Sequence, residues 1–252
     1  WVEKYRPKTL DDVVGNKEAV DRLRAISKGG NMPNLILSGP PGTGKTTSVM
    51  CLARALLGNA GLSENVLELN ASDDRGIDVV RETIKQFAKK KATNNATHKI
   101  VILDEADSMT TAAQQALRRT METFSKTTRF ALACNFSSEV IEAVQSRCAV
   151  VRFSRLSDEE MIKRLRQVVE MEGVKVDDLG YRAVLFCAEG DMRHAINTLQ
   201  AAAATNSVVT EEAVWAVADQ PQPDLLRTAL ASCLDGKFDD AWKIIGALAN
   251  QG

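Results

Sequence analysis

Asn34 to Thr47 read NLILSGPPGTGKTT: an apolar run, Leu35 to Leu37, empties into Gly39-x-x-x-x-Gly44-Lys45-Thr46 and then into a helix-like pattern. Glycines at 39, 42 and 44 let the backbone curl so that successive N–H groups face the oxygens of a phosphate, and a helix starting near Lys45 adds its positive dipole end. The spacing is that of a Walker A loop. Lys45 has the length to reach β- and γ-phosphates, Thr46 can offer a hydroxyl to Mg²⁺, and Thr47 is placed for the α-phosphate. Pro40, Pro41 and Thr43 complete the cradle.

Working outward, four more short apolar runs follow: Val66 to Leu69, Ile100 to Leu103, Phe130 to Cys134 and Val150 to Phe153, each flanked by helical periodicity. Strands alternating with helices predict an α/β fold with a mainly parallel, five-stranded sheet, whose ligands sit at the carboxyl ends of the strands. Before the loop, Arg6-Pro7 predicts an extended arm and residues 16–28 a helix. After Phe153 the strand pattern stops. Ser157-Asp158-Glu159-Glu160 reads as a capped helix start, and amphipathic stretches near 158–172, 178–188, 191–204 and 210–218 predict a small helical unit. Pro221-Gln222-Pro223 reads as a linker before helices at 224–234 and 238–250. The expected division is 1–153 for the nucleotide-binding unit, 154–219 for the helical unit and 220–252 for the linker and two helices. Those two helices are expected to pack on residues beyond Gly252 or on partners, because alone they bury little apolar surface. The opening at Trp1 implies that an initiator region precedes it.

Composition excludes several classes. With 44% hydrophobic and 26% charged residues and no long apolar run, a membrane-spanning protein is not expected. A formal net charge of −1 means that any nucleic-acid contact must come from a local patch. The five cysteines, at 51, 134, 148, 187 and 233, form no C-x-x-C pair; they read as buried free thiols in a reducing compartment, cytosol or nucleus.

The third apolar run ends in Asp104-Glu105-Ala106-Asp107, an acidic cluster at a strand end, which reads as Walker B. Asp104 would hold Mg²⁺ through water and Glu105 would orient or deprotonate the attacking water, while Asp107 reads as a helix cap. Asn135 ends the next strand and either positions water or simply forms a turn. Arg193, in Gly190-Asp191-Met192-Arg193, either reaches nucleotide from the helical unit or forms a surface ion pair. Arg147, in Ser146-Arg147-Cys148, lies just before the fifth strand, where it could enter a neighbouring subunit's site. Ile77, Arg81, Lys85 and Lys89 fall on one stripe of a helix, a candidate track for a phosphate backbone or a solvated basic face. Arg118 and Arg119 read equally as DNA contacts or as couplers between subunits.

Taken in order and spacing, WVEKYRP, GPPGTGKTT, ELNASDDRG, DEADSM, ACN, SRC and GDMR resemble the AAA+ clamp loaders, in particular the small subunits of eukaryotic replication factor C of the subunit 2 or 4 type, over essentially the whole chain. The resemblance implies an AAA+ P-loop NTPase with a helical lid and the start of a helical collar. It implies ATP and Mg as cofactors, with Val2 and Val14 lining the adenine pocket and Gly39 to Thr47 taking the triphosphate. It implies Lys45, Asp104 and Glu105 as catalytic residues, Asn135 as sensor 1, Arg193 as sensor 2, Arg147 as an arginine finger acting in trans, and Asn70 as a restraint on the catalytic glutamate. It tips the stripe Ile77, Arg81, Lys85 and Lys89 toward DNA. The implied partners are the other subunits of a heteropentamer, the sliding clamp PCNA and primer-template DNA, in the nucleus, for DNA replication and repair. Two other readings compete. A nucleotide-binding scaffold that never hydrolyses is opposed by Glu105 and Asn135, and a small-molecule P-loop kinase fits the stripe and trailing helices poorly.

Overall fold

The computed structural model describes residues 1–71, 77–90, 92, 97–218, 220 and 222–249, without the side chains at 60, 77–81, 248 and 249. Two compact units emerge: one made of Glu3–Met161 with Gly190–Met192, the other of Trp1–Val2, Ile162–Glu189 and Arg193–Gly252.

In the first unit the order is α1 (Lys17–Gly29), β1 (Leu35–Ser38), α2 (Lys45–Asn65), β2 (Val66–Asn70), α3 (Ile77–Lys89), β3 (Lys99–Asp104), α4 (Thr111–Thr123), β4 (Thr128–Cys134), α5 (Glu142–Gln145) and β5 (Ala149–Arg152). All five strands pair in parallel, in the order β2-β3-β4-β1-β5. The apolar runs are continuous because parallel strands are covered on both faces. Alternate side chains go to opposite sides. Leu35, Leu37, Ile100, Ile102 and Val151 pack with Val20, Leu23, Val49 and Leu52 of α1 and α2. Ile36, Val101, Leu103, Phe130 and Leu132 pack with Ile84, Leu117 and Met121 of α3 and α4. This sandwich fixes the strand ends, and therefore the loops that leave them.

The arm is tied down at both ends. The Cys51 thiol meets the Pro7 carbonyl at 3.4 Å, and Arg54 Nη1 donates to Lys8 O. Asn16, in a left-handed conformation at φ 49°, donates its amide to Ser154 O and accepts from Ser154 N, which closes the arm onto the exit of β5. Lys99, buried at the start of β3, directs its ammonium at the Phe87 and Lys90 carbonyls at the end of α3; burial lowers its pKa. Cations at a helix C-terminus satisfy its orphan acceptors.

The remaining elements are α6 (Asp158–Glu172), β6 (Lys175–Val176), α7 (Asp178–Ala188), α8 (Met192–Thr205), β7 (Val208–Val209), α9 (Glu211–Trp215), α10 (Pro223–Leu234) and α11 (Phe238–Ala249), with β6 and β7 paired in parallel. The boundary between units falls within α6, which begins with a reciprocal capping box: Ser157 N donates to Glu160 Oε2, and Glu160 N donates to Ser157 Oγ. Within the second unit Leu165, Val184, Leu199 and Val214 are buried, and the Trp1 ammonium donates to Gln200 Oε1 at 2.7 Å. Not all five thiols are buried as the sequence implies. Cys51, Cys134 and Cys187 are, Cys148 is half-buried, and Cys233 is exposed on α10 beside the exposed Leu230 and Leu234. Among the described residues no helix is long and apolar enough to cross a membrane.

Candidate active site

The loop between β1 and α2 owes its shape to two glycines that cannot carry a side chain. A Cβ at Gly39 would lie 2.1 Å from the Phe153 carbonyl oxygen, and one at Gly42, where φ is 66°, would lie 1.7 Å from Asp191 Oδ1. The Gly190–Met192 segment is thus packed directly on the loop, and Met192 N donates to Gly42 O at 3.2 Å. Thr43, buried, donates its hydroxyl to Pro40 O at 2.8 Å.

Lys45 opens α2 with its side chain buried under the loop. Its ammonium donates to Gly39 O at 2.7 Å, to Pro40 O at 2.8 Å and to Asn135 Oδ1 at 3.1 Å. Thr46 donates its hydroxyl to Asp104 Oδ2 at 2.8 Å. Thr47 accepts from Arg6 Nε at 3.3 Å, so the arm reaches the start of the same helix. The ends of β1, β3 and β4 therefore bring Lys45, Thr46, Asp104 and Asn135 together. Asn70, at the end of β2, stands opposite Asp104 in register, and Ala71 N donates to Asp104 O at 2.8 Å.

These residues fit a nucleoside triphosphate with its cation. The loop surrounds a buried ammonium that donates to three neutral acceptors, which phosphate oxygens can replace with bonds in which both partners are charged. A hydroxyl and a carboxylate 2.8 Å apart are the hard oxygen donors that Mg²⁺ takes when substrate phosphates and water supply the rest. Among the described residues no group of three or more His, Cys, Asp or Glu side chains gathers as a metal cage.

Glu105 follows Asp104 in a left-handed conformation, φ 52°, its side chain exposed and its N–H donating to Asp104 Oδ1 at 3.0 Å. A non-glycine residue held there stores backbone strain, a frequent property of active sites. Val14 is half-buried at the end of the arm. Val2 and Arg193 belong to the second unit, the former half-buried and the latter exposed. Arg147 makes its bonds elsewhere: its guanidinium donates to Ala143 O at 2.7 Å and pairs with Glu122 at 2.5 Å. On α3, Lys85 is half-buried and Lys89 exposed, while the side chains of Ile77 and Arg81 lie outside the described residues, as does the whole stretch from Ser72 to Gly76.

In this region the sequence reading of one residue is overturned, and another escapes it. Asp107 is not a helix cap. Its Oδ2 accepts from Asn135 N at 2.9 Å and from Phe136 N at 3.2 Å, and its buried Oδ1 has no hydrogen-bond partner among the described residues. It fixes the backbone that carries the Asn135 amide. Burial, with a smaller contribution from Asp107, pushes the adjacent Cys134 thiol up to about 11, so this sulfur stays neutral. Gln114, buried on α4, donates to Met109 O and Glu139 O and accepts from Ile141 N. A glutamine on the apolar face of α4, beside Ala113 and Leu117, is the only signal the sequence offers for it.

Residues 35–156 match the family described as ATPase family associated with various cellular activities (AAA). The chain is 56% identical to a probable replication factor C subunit 2 of Dictyostelium discoideum and 59% identical to replication factor C subunit 4 of Oryza sativa subsp. japonica, in each case over 100% of this chain and 75% of that protein. It is 47% identical to a replication factor C small subunit of the archaeon Methanococcus vannielii, over 96% of this chain and 76% of that protein. Among solved structures, the Thermotoga maritima RuvB Holliday junction branch migration motor superposes with a TM-score of 0.69 at 17% identity, covering 90% of this chain and 78% of that one, a likeness of fold. With its phosphate loop, acidic strand end and sheet order accounted for, and with relatives this similar over its whole length, the chain belongs to the replication factor C small subunits, a family of AAA ATPases.

Proposed function

We propose that this chain is an ATP-hydrolysing subunit of a hetero-oligomeric clamp loader, which opens the sliding clamp PCNA and loads it onto primer-template DNA in the nucleus. The observation that carries the proposal is the joined set Lys45–Asn135 and Thr46–Asp104, which links the phosphate loop to both acidic and amide strand ends. In this reading Gly39 to Thr47 cradle the triphosphate, with Val2 and Val14 against the base and Lys45 on the β/γ oxygens. Thr46 and Asp104 hold Mg²⁺, which when bound neutralises phosphate charge. Glu105 takes a proton from water or aims it, Asn135 and Arg193 read the γ-phosphate, and Arg147 serves the site of an adjoining subunit. Ile77, Arg81, Lys85 and Lys89 track the DNA backbone. A binding-only scaffold is the second reading, favoured by the exposed Glu105 side chain, which takes no part in the joined set.

Glu105→Gln in the assembled complex separates the two. It keeps shape and removes the base, so ATP binding should persist while DNA-stimulated hydrolysis at this site falls at least 100-fold. Undiminished hydrolysis at this site would contradict the enzymatic reading of Glu105.

A further inference from the structure

Arg147 stands on a rigid base. Its N–H donates to Val144 O at 3.0 Å, and two residues on, Ala149 N donates to Asn34 O at 2.8 Å as β5 begins. The side chain is equally engaged. Nη1 donates to Ala143 O at 2.7 Å and to Ser146 Oγ at 3.3 Å, and Nη2 donates to Glu122 Oε1 at 2.5 Å. Glu122 comes from the last turn of α4, and the same oxygen accepts from Arg118 Nε, one turn earlier, at 3.1 Å. Two guanidiniums therefore share one carboxylate, leaving the group with a net positive charge on the surface. Arg118, and after it Arg147, holds the Glu122 carboxyl below the usual carboxylate range.

A guanidinium has five N–H donors in a fixed planar fork. Among the described residues the bonds to Ala143, Ser146 and Glu122 use three of them, which leaves Nε–H and the second Nη2 hydrogen available to another acceptor. An unrestrained arginine would spread over many rotamers, few of which point at a given anion, and would lose that freedom at each encounter.

We propose that Glu122 is a positioning residue for Arg147: it holds the guanidinium in one orientation so that its two remaining N–H groups meet the phosphates bound by an adjoining subunit, with Arg118 holding Glu122 in turn. This rests on the trans role of Arg147 stated above. The pair is partly exposed, with side-chain accessibilities of 35% for Arg147 and 43% for Glu122, so its effect belongs to the range of networked surface pairs. That corresponds to about a three- to fivefold change in rate.

The experiment uses the assembled complex with hydrolysis disabled at every site except the one that Arg147 would serve. DNA-stimulated turnover is measured for the unaltered protein, Glu122→Gln, Arg147→Ala and the double variant, with ATP binding and thermal melting in parallel. Glu122→Gln should lower kcat about three- to fivefold with KM for ATP and the melting temperature unchanged, and the double variant should be no slower than Arg147→Ala alone. An unaltered or raised kcat in Glu122→Gln, alongside a loss in Arg147→Ala, overturns the positioning role and leaves the trans arginine standing. A double variant clearly slower than Arg147→Ala also overturns it, since Glu122 would then act on something other than Arg147. Full activity in both single variants rejects the trans role itself, and the positioning role with it.

Discussion

Asp107, which a sequence reading takes for a helix cap, instead holds the end of β4. Its carboxylate takes two backbone N–H groups at the point where β4 ends, and the next link is Asn135 Oδ1, which accepts from the Lys45 ammonium. Replacing it by Asn keeps the size but turns one charged acceptor into a neutral one, and bonds to a charged group are worth about 1.5–3 kcal/mol. Asp107→Asn should therefore reduce kcat for ATP hydrolysis about tenfold while leaving the Kd for ATP within about twofold, measured by steady-state kinetics and equilibrium binding in the complex. A parallel loss of binding would mean that Asp107 maintains the loop as a whole rather than aiming Asn135. Local pattern could not reveal this role, because its partners lie 28 and 29 residues further along the chain and a carboxylate just after a strand also suits a helix start. That Lys45, Thr46 and Asp104 would come together was legible because the loop and the acidic strand end are each defined by neighbours in sequence.

At the level of elements, the apolar runs mark the five strands to within two residues at each end, because strands covered on both faces need no alternation. The order β2-β3-β4-β1-β5 is a different matter, since each crossover leaves the partner strand open. The two-residue strands β6 and β7 are too short for any periodicity to register. Helix α3 is the element whose function is most open to a direct test. Ile84 and Ala88 are buried on one side, and Lys99 anchors its last carbonyls, so Lys85 and Lys89 lie on a helix that is fixed in place. Arg81→Ala, and separately Lys85→Ala, should weaken binding of the complex to primer-template DNA with little dependence on sequence. Each should reduce the slope of log K against log salt by about one. An unchanged slope in both variants would argue that α3 faces solvent instead.

For the molecule as a whole, the proposed function gives one chain two kinds of site. The set around Lys45 and Thr46 fits a phosphate, whereas Arg147 spends its hydrogen bonds on Ala143, Ser146 and Glu122, away from that set. Under the proposed function, a subunit arranged this way would supply the grip for its own nucleotide and a cation for another, which would tie hydrolysis to assembly. The most direct measurement is site-resolved: ATP binding to this chain, and single-turnover hydrolysis at the adjoining subunit, in DNA-bound complexes carrying Arg147→Ala. ATP binding here should be unchanged and hydrolysis next door should fall by about 100-fold or more. Normal hydrolysis at that neighbour, with the loss appearing at this chain's own loop instead, would contradict a nucleotide site shared between subunits.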